Sequence, residues 1–556
     1  MAEHLSLADA VERHVRPGDV LAVVCGHSRW SASAREVARQ HWGTDAGFTL
    51  VMVSLGTLGA LFFEGGMVCH VVTTYSGDPF PTFTPNPIFQ RAYASGEVTV
   101  EHWSILTFTQ RLEAAARGLP ALVTGSIAGS SMADNEAFAE VESPFGSVGL
   151  VAPLVPDVAL VHGALADRAG NIALSEPLLE GVWGAWAARR GVVATVEAVV
   201  DDLSQLGHRV RIPAHRVLAV AETPFGAHPG GLYAPGLPVR SYGEDIAFWS
   251  AARDATRSDF GAWARHWVLE PATQDAYLER VGHERLEWLA GRSDPESWRA
   301  DEAAHPVDAS VAVSAWERAA AHGAREVVRV VGELDADAVL AGAGVANLAA
   351  WVGVDACRAA GRRVELTAEL GMLGYRPTPA DPYIFNHRVF PATPMLSDAS
   401  GVLGMVVGGP GTRTVGCLGA AQVDRDGNLN STLIPDGPFL VGSGGANDVA
   451  SRAAGCVVVA LANPGRLVER VGYVTSPGHN VVSVVTDLGV LRRLDGELRL
   501  AAVAAGDGSL EERVAAMAAG CGFTVPVCPQ VEELAPVSAD EVLALRRHDP
   551  ERLFLA

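Results

Sequence analysis

The chain has 556 residues, 49% hydrophobic and 19% charged, which is enough for a large protein with two or more cores. Its 42 basic and 64 acidic residues give a net charge of −22, which argues against a nucleic-acid partner, because phosphate-backbone binding needs clustered cations. Every one of the basic residues is arginine, and a chain without lysine excludes a Walker-type P-loop, Schiff-base or pyridoxal-phosphate chemistry and a protein kinase.

From the N-terminus, MAEHLSLADAVERHV reads as the start of an amphipathic helix and not as a signal peptide. The chain holds no run of about 18 apolar residues, so no membrane span is expected. The seven cysteines are scattered and form no CxxC pair, which indicates neither a zinc ribbon nor a disulfide framework. The expectation is a cytoplasmic protein with reduced thiols and no metal.

Short β-branched runs recur: DVLAVVC, FTLVMVSL, VALVHGAL and GVVATVEAVV early, then VVRVV, VVVALA and NVVSVVTDLGV. Ala-rich helical stretches lie between many of them. Buried strands alternating with helices predict α/β layers with largely parallel sheets. The first run leads into Cys25-Gly26-His27-Ser28-Arg29-Trp30-Ser31. An arginine there can pair bidentately with a carboxylate or phosphate, although on local pattern alone a surface-loop arginine is the commoner case. Between about residues 250 and 310 the composition turns charged and rich in Ala and Trp, reading as helices followed by a connector near SDPESWRADEAAHPVDAS.

Two segments echo one another. VALVHGALADRAGNIAL and VGCLGAAQVDRDGNLNST each place Asp-Arg-x-Gly-Asn after an apolar strand, at 167–171 and 424–428. Asp, Gly and Asn in that order make a tight turn, and its repetition after the same strand type suggests two related domains with a site between them. In the second half, Gly342-Ala343-Gly344-Val345-Ala346-Asn347 lies between a short strand and a helix start, where backbone N–H groups can meet phosphate or an oxyanion. Val441-Gly442-Ser443-Gly444-Gly445-Ala446-Asn447-Asp448 has the same character, with Asn-Asp placed to cap the helix that follows. TSPGHN (475–480) and FGAHPGG (225–231) are further turns, each with a histidine. In VELTAELGMLG, alternation sets Val364, Leu366, Ala368 and Leu370 on one strand face and Glu365, Thr367 and Glu369 on the other. By itself that pattern makes Glu369 a surface residue.

Longer motifs carry a resemblance. LGAAQVDRDGNLNST, VGSGGANDVAS, RLVERVGYVTSPGH, VVTDLGV and LRRHDPERL resemble the β subunit of family I CoA-transferases, most closely the glutaconate CoA-transferase branch. RPGDVLAVVCGHSRW, FQRAYASGEVTVE, AAARGLPAL, VPDVALVHGALADRAGNI and TPFGAHPGGLY resemble the α subunit of that family. The resemblance covers nearly the whole chain in α-then-β order, as a single-chain fusion. It implies an α-like domain over 1–300, a β-like domain over 301–556, and an active site at their interface.

The resemblance puts Glu369 in the nucleophile position, just before a Gly-containing turn. It implies covalent double displacement: Glu369 attacks an acyl-CoA, the released thiolate forms a glutamyl-CoA thioester, and a small carboxylic acid discharges it. Asn430 and the backbone of Gly445 are the implied oxyanion donors, and Gly342, Gly344, Asn347, Gly442 and Gly444 the implied CoA contacts. Ser28 and Arg29 are implied near the acid's carboxylate. No cofactor beyond the CoA substrate is expected, and a homodimer is the expected assembly. Leu370, Ala346, Trp30 and Ser31 depart from the family pattern, which leaves the acid open. Two rivals remain: an acyl-CoA hydrolase on the same fold, including hydrolytic ring opening, with Glu101 or His102 as base, and a non-catalytic acyl-CoA-binding protein.

Overall fold

The computed structural model describes residues 2–24, 29, 31–308 and 310–556. Two ten-stranded sheets organise the chain. In the first, eight strands run in the order Glu3–His4, Val217–Glu222, Gly191–Val200, Val158–Asp167, Val20–Val24, Phe48–Val51, Val68–Thr73 and Thr99–His102. Every neighbouring pair along that path is parallel. Helices cover both faces, which is why all ten positions of Val158–Asp167 are buried and the strand reads as a continuous apolar run.

The second sheet is parallel at its centre, where Glu365–Ala368, Ala338–Ala341, Thr414–Gly419, Gly455–Val459 and Val481–Val485 lie side by side. Short antiparallel strands flank that centre: Met372–Leu373 and Met395–Leu396 on one side, Gly489–Leu494 and Glu497–Val503 on the other. The amphipathic N-terminal helix runs Leu7–His14, with the Ser6 hydroxyl accepting from the Asp9 N–H. The Ala- and Trp-rich region forms the helices Ile246–Thr256, Gln274–Val281, His283–Gly291 and Trp298–Ala304. The last of these falls inside the expected connector.

The two Asp-Arg-x-Gly-Asn turns have one geometry. Asp167 Oδ1 accepts from the N–H groups of Gly170 and Asn171, and the Asn171 amide returns to Oδ2 at 2.8 Å. Asp424 Oδ1 accepts from Asp426 and Asn428, and the Asn428 amide returns to Oδ2 at 3.1 Å. Gly170 (φ +98°) and Gly427 (φ +85°) occupy the position where a side chain would be strained. Each turn closes an antiparallel hairpin.

The halves meet through the carboxyl ends of their parallel strands. Val68–Thr73 runs on to Thr74–Ser76, and Thr99–His102 runs on to Ser104 and the helix Ile105–Arg117. Between these two segments lies the Gly-rich loop of the second half. Ser76 N–H donates to Val441 O at 2.7 Å, Gly444 N–H to Thr74 O at 3.0 Å and Ile105 N–H to Gly444 O at 3.1 Å. Asn447, fully buried, accepts from the Ile127 N–H at 2.8 Å and donates to Thr475 O at 2.9 Å. One hydrophobic cluster runs through both halves, with Phe80 and Trp249 packed edge-on against Tyr383.

Asn447→Ala leaves the buried Ile127 N–H and Thr475 carbonyl without partners. A loss of about 2–4 kcal/mol is expected for two such groups, read as an earlier urea-unfolding transition of the whole chain.

Candidate active site

Glu369 stands at the carboxyl end of the strand Glu365–Ala368, on the turn that reverses into Met372–Leu373. The surface-strand pattern fails at Thr367, which is fully buried and donates its hydroxyl to Met372 O at 2.7 Å. Both faces of this strand are covered at that level, so alternation there separates two buried faces. Gly371 makes the turn possible. Its φ is +109°, and a Cβ would come within 2.4 Å of the Ser397 backbone. The turn is also held by the first half, because Leu179 N–H donates to Leu370 O at 3.1 Å.

The Glu369 carboxylate opens into a cavity of about 600 Å³. Its floor is built by two Gly-rich loops and Glu369. The neighbouring strand Ala338–Ala341 delivers Gly342–Gly344, and Gly344 leads into the helix Val345–Ala359. The second loop, Val441–Gly445, runs opposite. Gly445 N–H donates to Glu369 Oε2 at 3.0 Å. The approach leaves no space for a side chain: a Cβ on Gly445 would stand 2.2 Å from Oε2.

Burial raises the Glu369 carboxyl to about 7, the Gly445 N–H opposes the rise, and the charge of Asp448 adds to it. Asp448 is itself raised to about 6 by burial, offset by hydrogen bonds from Ser104, Leu106 and Ser126. Asp448 comes from the second half, yet it accepts from Ser104 Oγ at 2.6 Å and from Leu106 N–H at 3.0 Å. It therefore satisfies the amino end of a first-half helix. The expected local capping by Asn447-Asp448 is absent, and the N-cap position of the helix Ala446–Arg452 is Gly445, which has no side chain to cap it. Both side chains reach across to the other half instead.

Gly342, Gly344, Gly442, Gly444 and Gly445 all line the cavity. Three expected side chains are engaged elsewhere. Asn430 is fully buried and spends its amide hydrogens on Gln422 Oε1 and Leu433 O, while its oxygen accepts from Thr432 and Leu433. It organises its own turn, and its neighbour Ser431 lines the cavity. Asn347 is buried and donates to Pro382 O at 3.0 Å, fastening the helix and not lining the cavity. Arg29 is buried, with its guanidinium on the carbonyls of Ser175 and Pro177, also away from the lining. Ser28 lies outside the described residues.

Glu101 and His102 stand apart as well. Glu101 pairs with Arg111 at 3.3 Å and accepts from Trp103 Nε1. His102 stacks on Phe439, and burial lowers its ring to about 4. Neither lines the cavity. His228, in the FGAHPGG turn, is fully buried between Tyr277 and Asp245. His479, in the TSPGHN turn, is exposed.

Sequence reasoning missed the rest of the wall. Tyr75, Phe83 and Pro85 come from the first half, and Trp316 and Arg466 from the second. The Arg466 guanidinium lies 5.4 Å from the Trp316 ring centre. The two are far apart in sequence, and no local pattern announces that pairing. Among the described residues no cluster suits a metal ion, and no helix is long and apolar enough to cross a membrane.

The chain is 31% identical over 283 residues to the A component of the 3-oxoadipate CoA-transferase of Pseudomonas knackmussii, a match covering 48% of this chain and 94% of that protein. It is also 30% identical over 151 residues to the B component of the same organism's enzyme, covering 24% of this chain and 57% of that protein. Similarity to A-type and B-type components thus coexists in one chain. An acyl-CoA transferase of Escherichia coli O157:H7, solved as a thioester complex with CoA, shares the fold over 100% of this chain and 96% of its own, with a TM-score of 0.65 at 16% identity. The family model described as Coenzyme A transferase matches residues 4–223 and 384–515, with Glu369 between the two matched stretches, and the chain belongs to that family.

Proposed function

We propose that the enzyme transfers CoA from an acyl-CoA to a small carboxylic acid through covalent intermediates on Glu369. The observation that carries this reading is the Glu369 carboxylate, open to the cavity between the two Gly-rich loops and held by the Gly445 N–H at 3.0 Å. Glu369 Oε attacks the thioester carbonyl, the C–S bond breaks, and an acyl-glutamyl anhydride and CoA thiolate result. The thiolate then attacks Glu369 Cδ and expels the acyl group as a carboxylate, leaving a glutamyl-CoA thioester. The acceptor acid reverses the two steps. Atoms and charge balance throughout with no cofactor.

Gly445 serves the second step. Its N–H already meets a Glu369 oxygen, which becomes the oxyanion when Cδ is attacked. The Gly342–Gly344 loop and the Arg466–Trp316 pair support a CoA site on the second-half side, where the cation suits a phosphate. The units 1–300 and 301–556 correspond in this reading to the α-type and β-type subunits. Water in place of the acceptor acid would make the same intermediates hydrolytic.

Intact and peptide mass spectrometry after incubation with acetyl-CoA, succinyl-CoA and a small acyl-CoA panel tests this reading. A CoA adduct on Glu369 is expected, absent in Glu369→Gln. Thioester consumption that persists in Glu369→Gln without an adduct would instead establish a hydrolase using another base. Gly445→Ala is expected to lower adduct formation by at least about 100-fold, the scale for loss of one oxyanion donor, because its methyl would displace the carboxylate.

Glu369 attacks only when ionised. With its carboxyl raised to about 7, the adduct rate is expected to fall about tenfold per unit below that pH. The same shift has a stability consequence. Its folded pKa lies above the ordinary 4.5, so the folded protein holds a proton that the unfolded chain releases. Wild type should lose stability relative to Glu369→Gln as pH rises from 4.5 to about 7, with no further change above. Chemical denaturation at several pH values measures the difference.

A further inference from the structure

The first step of the proposed mechanism needs a donor of its own. When Glu369 attacks an acyl thioester, the negative charge develops on the substrate's carbonyl oxygen and not on the glutamyl oxygens. The Gly445 N–H is aimed at Glu369 Oε2. The Asn430 amide is consumed by Gln422 and Leu433.

We propose that Ser443 is a catalytic residue whose hydroxyl donates to the oxyanion formed on the acyl carbonyl. This rests on the covalent reading of Glu369. Ser443 lines the cavity, is buried, and directly precedes the Gly444–Gly445 pair that faces the carboxylate. Its oxygen accepts from the Asn447 N–H at 3.3 Å, which fixes the hydroxyl at the start of the Ala446–Arg452 helix and leaves its proton to point elsewhere. Of the other lining hydroxyls, Ser431 and Tyr75 are spent, and those of Thr82 and Thr84 come from the first half and not from the Gly-rich loop that meets Glu369. Ser431 donates to Gly442 O at 2.9 Å, and Tyr75 donates to Asp78 O at 3.0 Å. Among the described residues the Ser443 proton has no acceptor in the protein.

The loop that carries Ser443 is fixed from both sides. Thr74 and Ile105 of the first half hold Gly444 on both its N–H and its carbonyl, and Ser76 holds Val441. A hydroxyl on that loop is therefore positioned before substrate arrives, the condition under which an oxyanion donor is most effective.

Hydroxylamine separates this role from a structural one. Adduct formation from an acyl-CoA passes through charge on both the acyl and the glutamyl carbonyl. Discharge of the finished glutamyl-CoA adduct by hydroxylamine attacks Glu369 Cδ and releases CoA thiolate. It passes only through charge on the glutamyl carbonyl, at Gly445. Ser443→Ala is expected to slow adduct formation about 100-fold, while hydroxylamine discharge of its adduct stays within about twofold of wild type. Ser443→Thr, which keeps the hydroxyl, is expected to recover most of the rate.

Unchanged adduct formation in Ser443→Ala would overturn the assignment and leave the Glu369 mechanism standing. So would hydroxylamine discharge slowed as much as adduct formation, because the serine would then only brace the loop. If wild type gives no adduct with any acyl-CoA of the panel, the covalent reading fails and this inference falls with it.

Discussion

The site depends on one short loop, Val441–Gly445, held at once by both halves. Its own half supplies the Glu369 turn that faces it, and the other half supplies the hydrogen bonds that fix its path. Each of those bonds is individually modest, with a net value of about 1 kcal/mol. Their effect is geometric. The Gly444 N–H and carbonyl are bound to different first-half segments, so this stretch of backbone cannot rotate without breaking one of them. That immobility sets the direction of the adjacent Gly445 N–H, and hence the position of the Glu369 carboxylate.

The placement follows from the topology of parallel sheets, whose carboxyl edges are where loops converge and ligands are received. In the second sheet, neighbouring strands deliver Glu369 and the Gly342–Gly344 loop at the same edge. In the first, the strands ending at Thr73 and His102 deliver Thr74–Ser76 and Ser104 at theirs. The two edges meet, and the cavity is the space between them. Joining the halves in one chain turns this meeting into an intramolecular event, so its effective concentration is set by the connection and not by the abundance of a partner.

Electrostatics reinforces the arrangement. Glu369 has one backbone donor and a buried acidic neighbour, Asp448, so its carboxylate is poorly stabilised and its carboxyl holds its proton to higher pH than an ordinary glutamate. Asp448 satisfies the amino end of a first-half helix while its charge is felt at Glu369. The residue that ties the halves together thus also adjusts the residue proposed to do the chemistry.

The amino-acid sequence by itself determined the layer type, the paired Asp-Arg-x-Gly-Asn turns and the Gly-rich loops. These are legible because strand alternation, tight-turn chemistry and positive-φ glycine are local properties, decided within a few residues. The sequence also carried Glu369, but ambiguously. Its alternation marked a surface face, and only the packing around Thr367 made both faces interior. Asn430, Asn347 and Arg29 were candidates through the family resemblance of their motifs. Only the tertiary structure shows where their hydrogen bonds go, to nearby carbonyls and side chains. It alone decided that Asn447 and Asp448 would cross to Ile127 and Leu106 and not cap their own helix. A side chain's hydrogen-bonding capacity is written in its residue type, but the partner that claims it is set by what the fold brings within about 3 Å.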